Sequence, residues 1–240
     1  MIKAILFDLD NTLIDFRKMK SAASDAAIEA MIGAGMKLDK DEAQKLLYEL
    51  YDQYGIEHQQ ILHEFLMRTH KAIDYKVLAA GIVAYRKARI KNAKPYPGVV
   101  ETVSKLKQLG LKLAIVSDAP ILQVWTRLTE IDIAELFDTV VAFDDTGQKK
   151  PNSEPFRKAI EKFGVLPEEV LHIGDWPDKD VAGAKALGML AAFAKYGFSA
   201  PMTSSHKLKP ISVKADYELN SIEELLEIVE NNLKHSILVH

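Results

Sequence analysis

The chain opens on a short apolar run, Ile2 to Leu9, that closes in Asp8-Leu9-Asp10-Asn11-Thr12. A continuous apolar stretch of this length ending in Asp and Asn reads as a central, buried strand. From Phe16 to Asn92 the pattern changes to helical spacing. Apolar residues recur as Ala23-Ala26-Ala27-Ala30-Met31, Leu46-Leu47-Leu50-Tyr51-Tyr54, Ile61-Leu62-Phe65-Leu66 and Val77-Leu78-Ile82-Val83-Tyr85. Gly33, Gly35 and Gly55 punctuate these sets, and Gly81 falls inside the last. Four helices with no convincing strand make this region a helical insertion of its own.

Beyond Pro95-Tyr96-Pro97-Gly98 strands and helices alternate. Strands are predicted over 111–116, 139–143, 170–173 and 190–194. Helices are predicted over 99–109, from Pro120 onward, and over 154–163, 178–187 and 222–233. That rhythm is the signature of an α/β fold with a doubly wound parallel sheet. The expected division is a core of residues 1–15 and 93–240 and a helical domain of residues 16–92. The polar, Ser/Lys/Pro-rich stretch 198–214 reads as a surface loop, and 236–240 as a docked or frayed tail.

Ligands of open parallel sheets bind outside the carboxyl ends of the strands, so the residue that ends each strand matters. The first strand ends in Asp8 and Asp10, the second in Ser117-Asp118, and the 170–173 strand in Gly174-Asp175 with Asp178 and Asp180 following. The 139–143 strand runs into Asp144-Asp145 and then Lys149-Lys150-Pro151. A hydroxyl, a lysine and several carboxylates therefore share one rim. In an extended chain Asp8 and Asp10 point to the same face, where two like charges repel unless a cation neutralises them or one carries a proton. The pair suits a divalent-metal site or a nucleophile beside a general acid; a simple strand-end turn is the alternative.

Composition narrows the chemistry. Among 240 residues 48% are hydrophobic and 27% charged, ordinary for a globular protein. A net charge of -3 and a pI near 6.2 give no basic field for nucleic acid and no polybasic membrane signal. No cysteine is present, which excludes disulfides, thiolate metal sites and a Cys nucleophile. No stretch resembles a signal peptide or a membrane span, so the cytoplasm is the expected location. Oxygen ligands without Cys suit Mg²⁺. A Ser hydroxyl and a Lys ammonium suit phosphate oxygens, and an Asp nucleophile attacking phosphorus forms an aspartyl-phosphate.

This arrangement resembles the phosphatase branch of the haloacid dehalogenase superfamily. Asp8-Leu9-Asp10-Asn11-Thr12 is similar to its first motif and Ser117 after Ile115-Val116 to its second. Lys150-Pro151 resembles the third, and Gly174-Asp175 with Asp180 and Val181-Ala182-Gly183-Ala184 the fourth. The helical insertion resembles that family's C1-type cap, which closes over the active site. The resemblance implies that Asp8 is the nucleophile and a metal ligand. Asp10 would be the general acid/base, with its carbonyl on Mg²⁺. Ser117, Lys150 and the backbone amides of Leu9 and Asp118 would hold the phosphoryl group. Asp175 would complete the metal ligation, and Asp180 would be a ligand or stand behind the ligands, a task Asp178 could share.

Other residues carry blander expectations. His172 reads as a hydrogen-bonded core histidine, Trp176 and Pro177 as loop packing or the mouth of the site, and Asp144 and Asp145 as turn residues. In the cap, His58, His63 and His70 lack metal-binding spacing, while Arg17, Lys18, Lys20 and Arg86 could meet an anionic substrate. The expected function is a Mg²⁺-dependent phosphomonoesterase acting on a small phosphorylated metabolite, a sugar or triose phosphate such as glyceraldehyde 3-phosphate. A 2-haloacid dehalogenase, which needs neither Asp10 nor Mg²⁺, is the nearest rival. A β-phosphoglucomutase would share all four motifs, and inorganic pyrophosphatase activity is a further option. A phosphate-accepting receiver or a phosphometabolite-binding protein would not need Asp10.

Overall fold

Residues 1–199, 202 and 213–237 are described by the computed structural model. Their six strands form one all-parallel sheet, β1 (Ala4–Phe7), β2 (Lys112–Val116), β3 (Thr139–Val141), β4 (Val170–Gly174), β5 (Leu190–Ala194) and β6 (Tyr217–Leu219), in the order β3-β2-β1-β4-β5-β6. All four residues of β1 are buried, as expected of a strand covered on both faces by helices. Strand order reverses at β1, which places its carboxyl end at the topological switch point. The register aligns Phe7 with Ile115 on one side and Ile173 on the other, so Asp8, Ser117 and Asp175 leave the sheet at nearly one level.

The chain divides into two units, each with its own core. One comprises Met1–Asp15, Pro95–Ser199 and the described residues from 213 onward; the other is Phe16–Lys94. The second is built of α1 (Phe16–Gly33), α2 (Lys40–Tyr54), α3 (Ile61–His70) and α4 (Tyr75–Asn92) around Ile28, Met31, Leu47, Leu50, Tyr51, Phe65 and Leu66. The carboxylates of Asp39 and Asp74 accept the first free amides of α2 and α4. Gly81 does lie inside α4, where a Cβ would come within 2.7 Å of the Met31 side chain, which would have to shift.

In the sheet unit, α5 (Val99–Gln108), α6 (Ile121–Glu130), α7 (Phe143–Thr146), α8 (Ser153–Phe163), α9 (Ala182–Ala186) and α10 (Glu224–Ile237) complete the layers. Three details depart from the sequence reading. β3 ends at Val141 rather than residue 143, because the Ala142 amide donates to the Asp145 carboxylate and opens α7. The helix expected over 178–187 begins as a π-helical turn, Pro177–Val181, and becomes α-helical only at α9. β6, pairing with β5 through Tyr217 and Ala192, is an edge strand that three residues after a polar stretch gave little reason to expect. Most of the predicted 198–214 loop, and residues 238–240 of the predicted tail, lie outside the described residues. Among those described, no helix is long and apolar enough to cross a membrane.

Candidate active site at the carboxyl end of the sheet

Asp8 follows β1 directly, its amide donating to the Ile173 carbonyl at 2.8 Å, so its backbone extends the sheet by one rung. Its carboxylate is 7% exposed and takes two hydrogen bonds. Lys150 Nζ donates to Oδ1 at 2.6 Å, and Thr12 Oγ1 donates to Oδ2 at 3.1 Å. Thr12 thus does more than close the turn: it orients the candidate nucleophile. The loop that carries it is held from outside, since Tyr196 Oη donates to the Thr12 carbonyl at 2.8 Å and Gly197 lies against the Asn11 carbonyl. A Cβ at position 197 would come within 1.6 Å of that oxygen, so only glycine fits.

Lys150 is the hub. The same ammonium donates to Asp180 Oδ1 at 2.6 Å. Burial alone would lower its pKa, but the Asp180, Asp8 and Asp118 carboxylates outweigh burial and hold it well above the ordinary lysine value. Asp180 is the mirror case. Burial alone would raise its pKa, but the Lys150 charge and the bond to His172 hold it below the ordinary carboxylate range. His172 Nε2 lies 3.0 Å from Asp180 Oδ1, and with Asp180 ionised that nitrogen carries the proton. This is the hydrogen-bonded core histidine expected from the sequence, and its partner is in the site. Asp180 Oδ2 accepts the Trp176 amide at 3.0 Å, and the carboxyl group lies over Gly174, whose missing side chain makes room for it. These bonds account for the π-helical turn: Asp180 is drawn back over the end of β4.

Asp8, Asp175 and Asp180 each offer a carboxylate oxygen within 4.8 Å of the others, all three buried. Burial raises the pKa of Asp8, with Asp180 adding to the effect and Lys150 offsetting it only in part. Burial and the Asp8 and Asp180 charges push Asp175 well above the usual range. One ammonium is too little positive charge for three buried carboxylates. Hard oxygen donors gathered in this way fit a divalent cation.

The remaining expected residues divide into two groups. Ser117, 4% exposed, lies at the end of β2, its Oγ accepting the Ala119 amide at 3.2 Å. The Asp118 side chain holds the scaffold: Oδ1 accepts the Lys150 amide at 2.8 Å and Oδ2 pairs with Lys179 at 3.0 Å. Its carboxylate therefore positions Lys150, and only its amide is left for an anion. Asp144 and Asp145 cap backbone amides at Ile121 and Ala142. Neither Asp10 nor Asp178 supplies a carboxylate to the three-acid cluster. Asp10 Oδ2 instead accepts a 2.6 Å bond from Arg127 Nη1, a buried guanidinium on α6.

Arg127, Tyr196 and Gly197 were not foreseen. Arg127 left one trace: it sits beside Leu128 and one turn after Val124, on the buried face of a helix, where a charge needs a partner. Tyr196 and Gly197 left none, because their partners lie at the opposite end of the chain.

Comparison with known proteins supplies an independent line. The sequence pattern of haloacid dehalogenase-like hydrolases matches residues 2–188. A glyceraldehyde 3-phosphate phosphatase of Methanocaldococcus jannaschii is 32% identical over 231 residues, covering 96% of this chain and 98% of that one. One from Pyrococcus furiosus is 34% identical over 229 residues, covering 95% and 93%. Among solved structures, a HAD phosphatase from Thermococcus onnurineus aligns with a TM-score of 0.66 at 26% identity over 95% of this chain and 98% of its own.

Proposed function

The chain belongs to the haloacid dehalogenase-like hydrolases, and from that premise we propose that it is a Mg²⁺-dependent phosphomonoesterase acting on a small phosphorylated metabolite, with glyceraldehyde 3-phosphate the first substrate to try. The observation that carries this reading is the convergence of Asp8, Ser117, Lys150, Asp175 and Asp180 on one end of the sheet, beside Asp10. Support for the substrate comes from the relatives of that name, which align over nearly the whole chain. A cytoplasmic setting, in keeping with the absence of cysteine, belongs to the same proposal.

In the mechanism we infer, Ser117 Oγ, Lys150 Nζ and the Leu9 and Asp118 amides bind the transferring phosphoryl group. An Asp8 oxygen attacks phosphorus, and the bond to the ester oxygen breaks with its electron pair leaving on that oxygen. Asp10 supplies the proton that makes the leaving group an alcohol. Water then attacks the aspartyl-phosphate, giving a proton to Asp10 and returning Asp8 as carboxylate. Asp8, Asp175 and the Asp10 carbonyl would hold the cation, with Asp180 fixing Lys150 behind them. When bound, the cation neutralises the repulsion between the phosphate and the nucleophilic carboxylate. Thr12 holds Asp8 in its attacking orientation throughout.

Phosphate release from glyceraldehyde 3-phosphate and from p-nitrophenyl phosphate, with Mg²⁺ and with EDTA, tests this reading. Metal-dependent hydrolysis of both supports it. Halide release from a 2-haloacid with no phosphatase activity would overturn it.

A further inference from the structure

Arg127 is 3% exposed, on a helix that otherwise buries Val124 and Leu128. Taking a guanidinium out of water costs several kcal/mol unless it is paired, and a well-packed apolar replacement for a buried ion pair is often neutral or stabilising. Its described ion pair reaches across 117 residues of sequence to the carboxylate of Asp10. The helix that carries Arg127 is itself anchored: the Ile121 amide at its start donates to Asp144 Oδ2 at 2.6 Å. It also begins four residues after Ser117, so a short stretch of chain carries both a phosphoryl-holding group and the partner of the acid/base.

We propose that Arg127 is the positioning residue for Asp10, fixing its carboxylate by Oδ2 for the step in which water hydrolyses the aspartyl-phosphate. The inference rests on the proposed roles of Asp8 and Asp10. In that step a lone pair of the water oxygen forms the new bond to phosphorus. The bond from phosphorus to the Asp8 oxygen breaks, its electrons returning to the Asp8 carboxylate, and the water proton passes to Asp10. A carboxylate two residues from another carboxylate is repelled by it, and a buried guanidinium bonded to its Oδ2 offsets that repulsion. Arg127 touches neither substrate nor water in this scheme; it acts through Asp10.

p-Nitrophenyl phosphate separates the two chemical steps, because p-nitrophenolate leaves without a proton. In stopped-flow traces with Mg²⁺, Arg127→Met is expected to release the first p-nitrophenolate at close to the parent rate. Steady-state turnover should then fall by about 10- to 100-fold, at the low end of the range for lost general acid–base catalysis, leaving a burst of one product per active site. KM should not rise, and Arg127→Lys should recover part of the steady-state rate. Asp10→Asn should give the same burst, and the double variant should be no slower than Asp10→Asn alone, since the two act as one unit. If Arg127→Met does not fold by circular dichroism, Arg127→Lys carries the test and must show a smaller burst with a severalfold loss. Equal loss of both phases, or multiplicative losses in the double variant, would overturn the proposal. Parent-like kinetics in Arg127→Met beside a burst in Asp10→Asn would remove Arg127 alone. Parent-like kinetics in Asp10→Asn would instead remove the acid/base reading on which this inference depends.

Discussion

The two units of this protein bury polar groups in opposite ways. In the sheet unit the buried groups Asp8, Lys150, Asp180 and His172 are linked by hydrogen bonds at one end of the strands, and the buried Arg127 pairs with Asp10. The helical unit encloses an apolar core, and its buried cation, Lys20, has its ammonium 4.5 Å from the centre of the Tyr51 ring and 5.5 Å from that of Tyr85. A buried charge met by carboxylates belongs to a network in which every member depends on the others. A buried charge met by ring faces is held by contacts worth about 0.5–2 kcal/mol. Chemistry is concentrated where charges are cross-linked, and packing does the rest of the work elsewhere.

The largest expected effect breaks the network at its centre. Asp8→Asn should lower phosphate release by ~10⁴-fold or more, as when one member of a catalytic unit is removed, with the circular dichroism spectrum unchanged. Retained activity would take Asp8 out of the nucleophile's role. On the packing side, Phe65→Ala should cost about 3–5 kcal/mol through the cavity it leaves. If the two cores are energetically separate, hydrogen exchange will accelerate in α1–α4 while β1 and β4 keep their protection. Equal acceleration in both would show that they melt as one.

Metal and pH sharpen the same contrast. Asp8 and Asp175 have pKa values raised from 3.8 in the folded chain. The stability they contribute is full below their unfolded values and is lost as pH rises through the folded ones. Asp180 is shifted the other way, and its contribution is lost only as pH falls below 3.8. A cation held by Asp8 and Asp175 requires both ionised, so the melting-temperature gap between Mg²⁺ and EDTA samples should widen as pH rises above the ordinary carboxylate value of 3.8. At a hundredfold excess over Kd the metal should add about 2.7 kcal/mol, and a gap that does not depend on pH would count against these carboxylates as ligands. The smallest effect returns to the helical unit: Asp39→Ala removes the cap of α2 and should cost ~1 kcal/mol, read by urea titration, with activity unchanged.

How much of this could be read in the sequence follows the range of the interactions involved. Strand ends at Asp8, Ser117 and Asp175 were legible because an apolar run closed by a polar residue is a local signal. The four helices between Phe16 and Asn92 were legible for the same reason, through their 3.6-residue period. Boundaries failed where a side chain overrode local preference, as when Asp145 turned the end of β3 into a helix and Asp180 drew the chain into a π-helical turn. The partners of Asp10, Thr12 and Asn11 stayed hidden, because Arg127, Tyr196 and Gly197 reach them only after the sheet has closed.

The position of β1 also sets an order of events in time. Ala4 is hydrogen-bonded alongside Lys112 and Val170, so the candidate nucleophile is seated only after two very long chain closures, whereas α1–α4 are joined by short connections. Closures of that length are entropically expensive and slow relative to neighbouring helices finding each other. On dilution from denaturant, helical signal should therefore return well before enzymatic activity. The lag between the two would time the docking of a four-residue strand at the centre of the sheet.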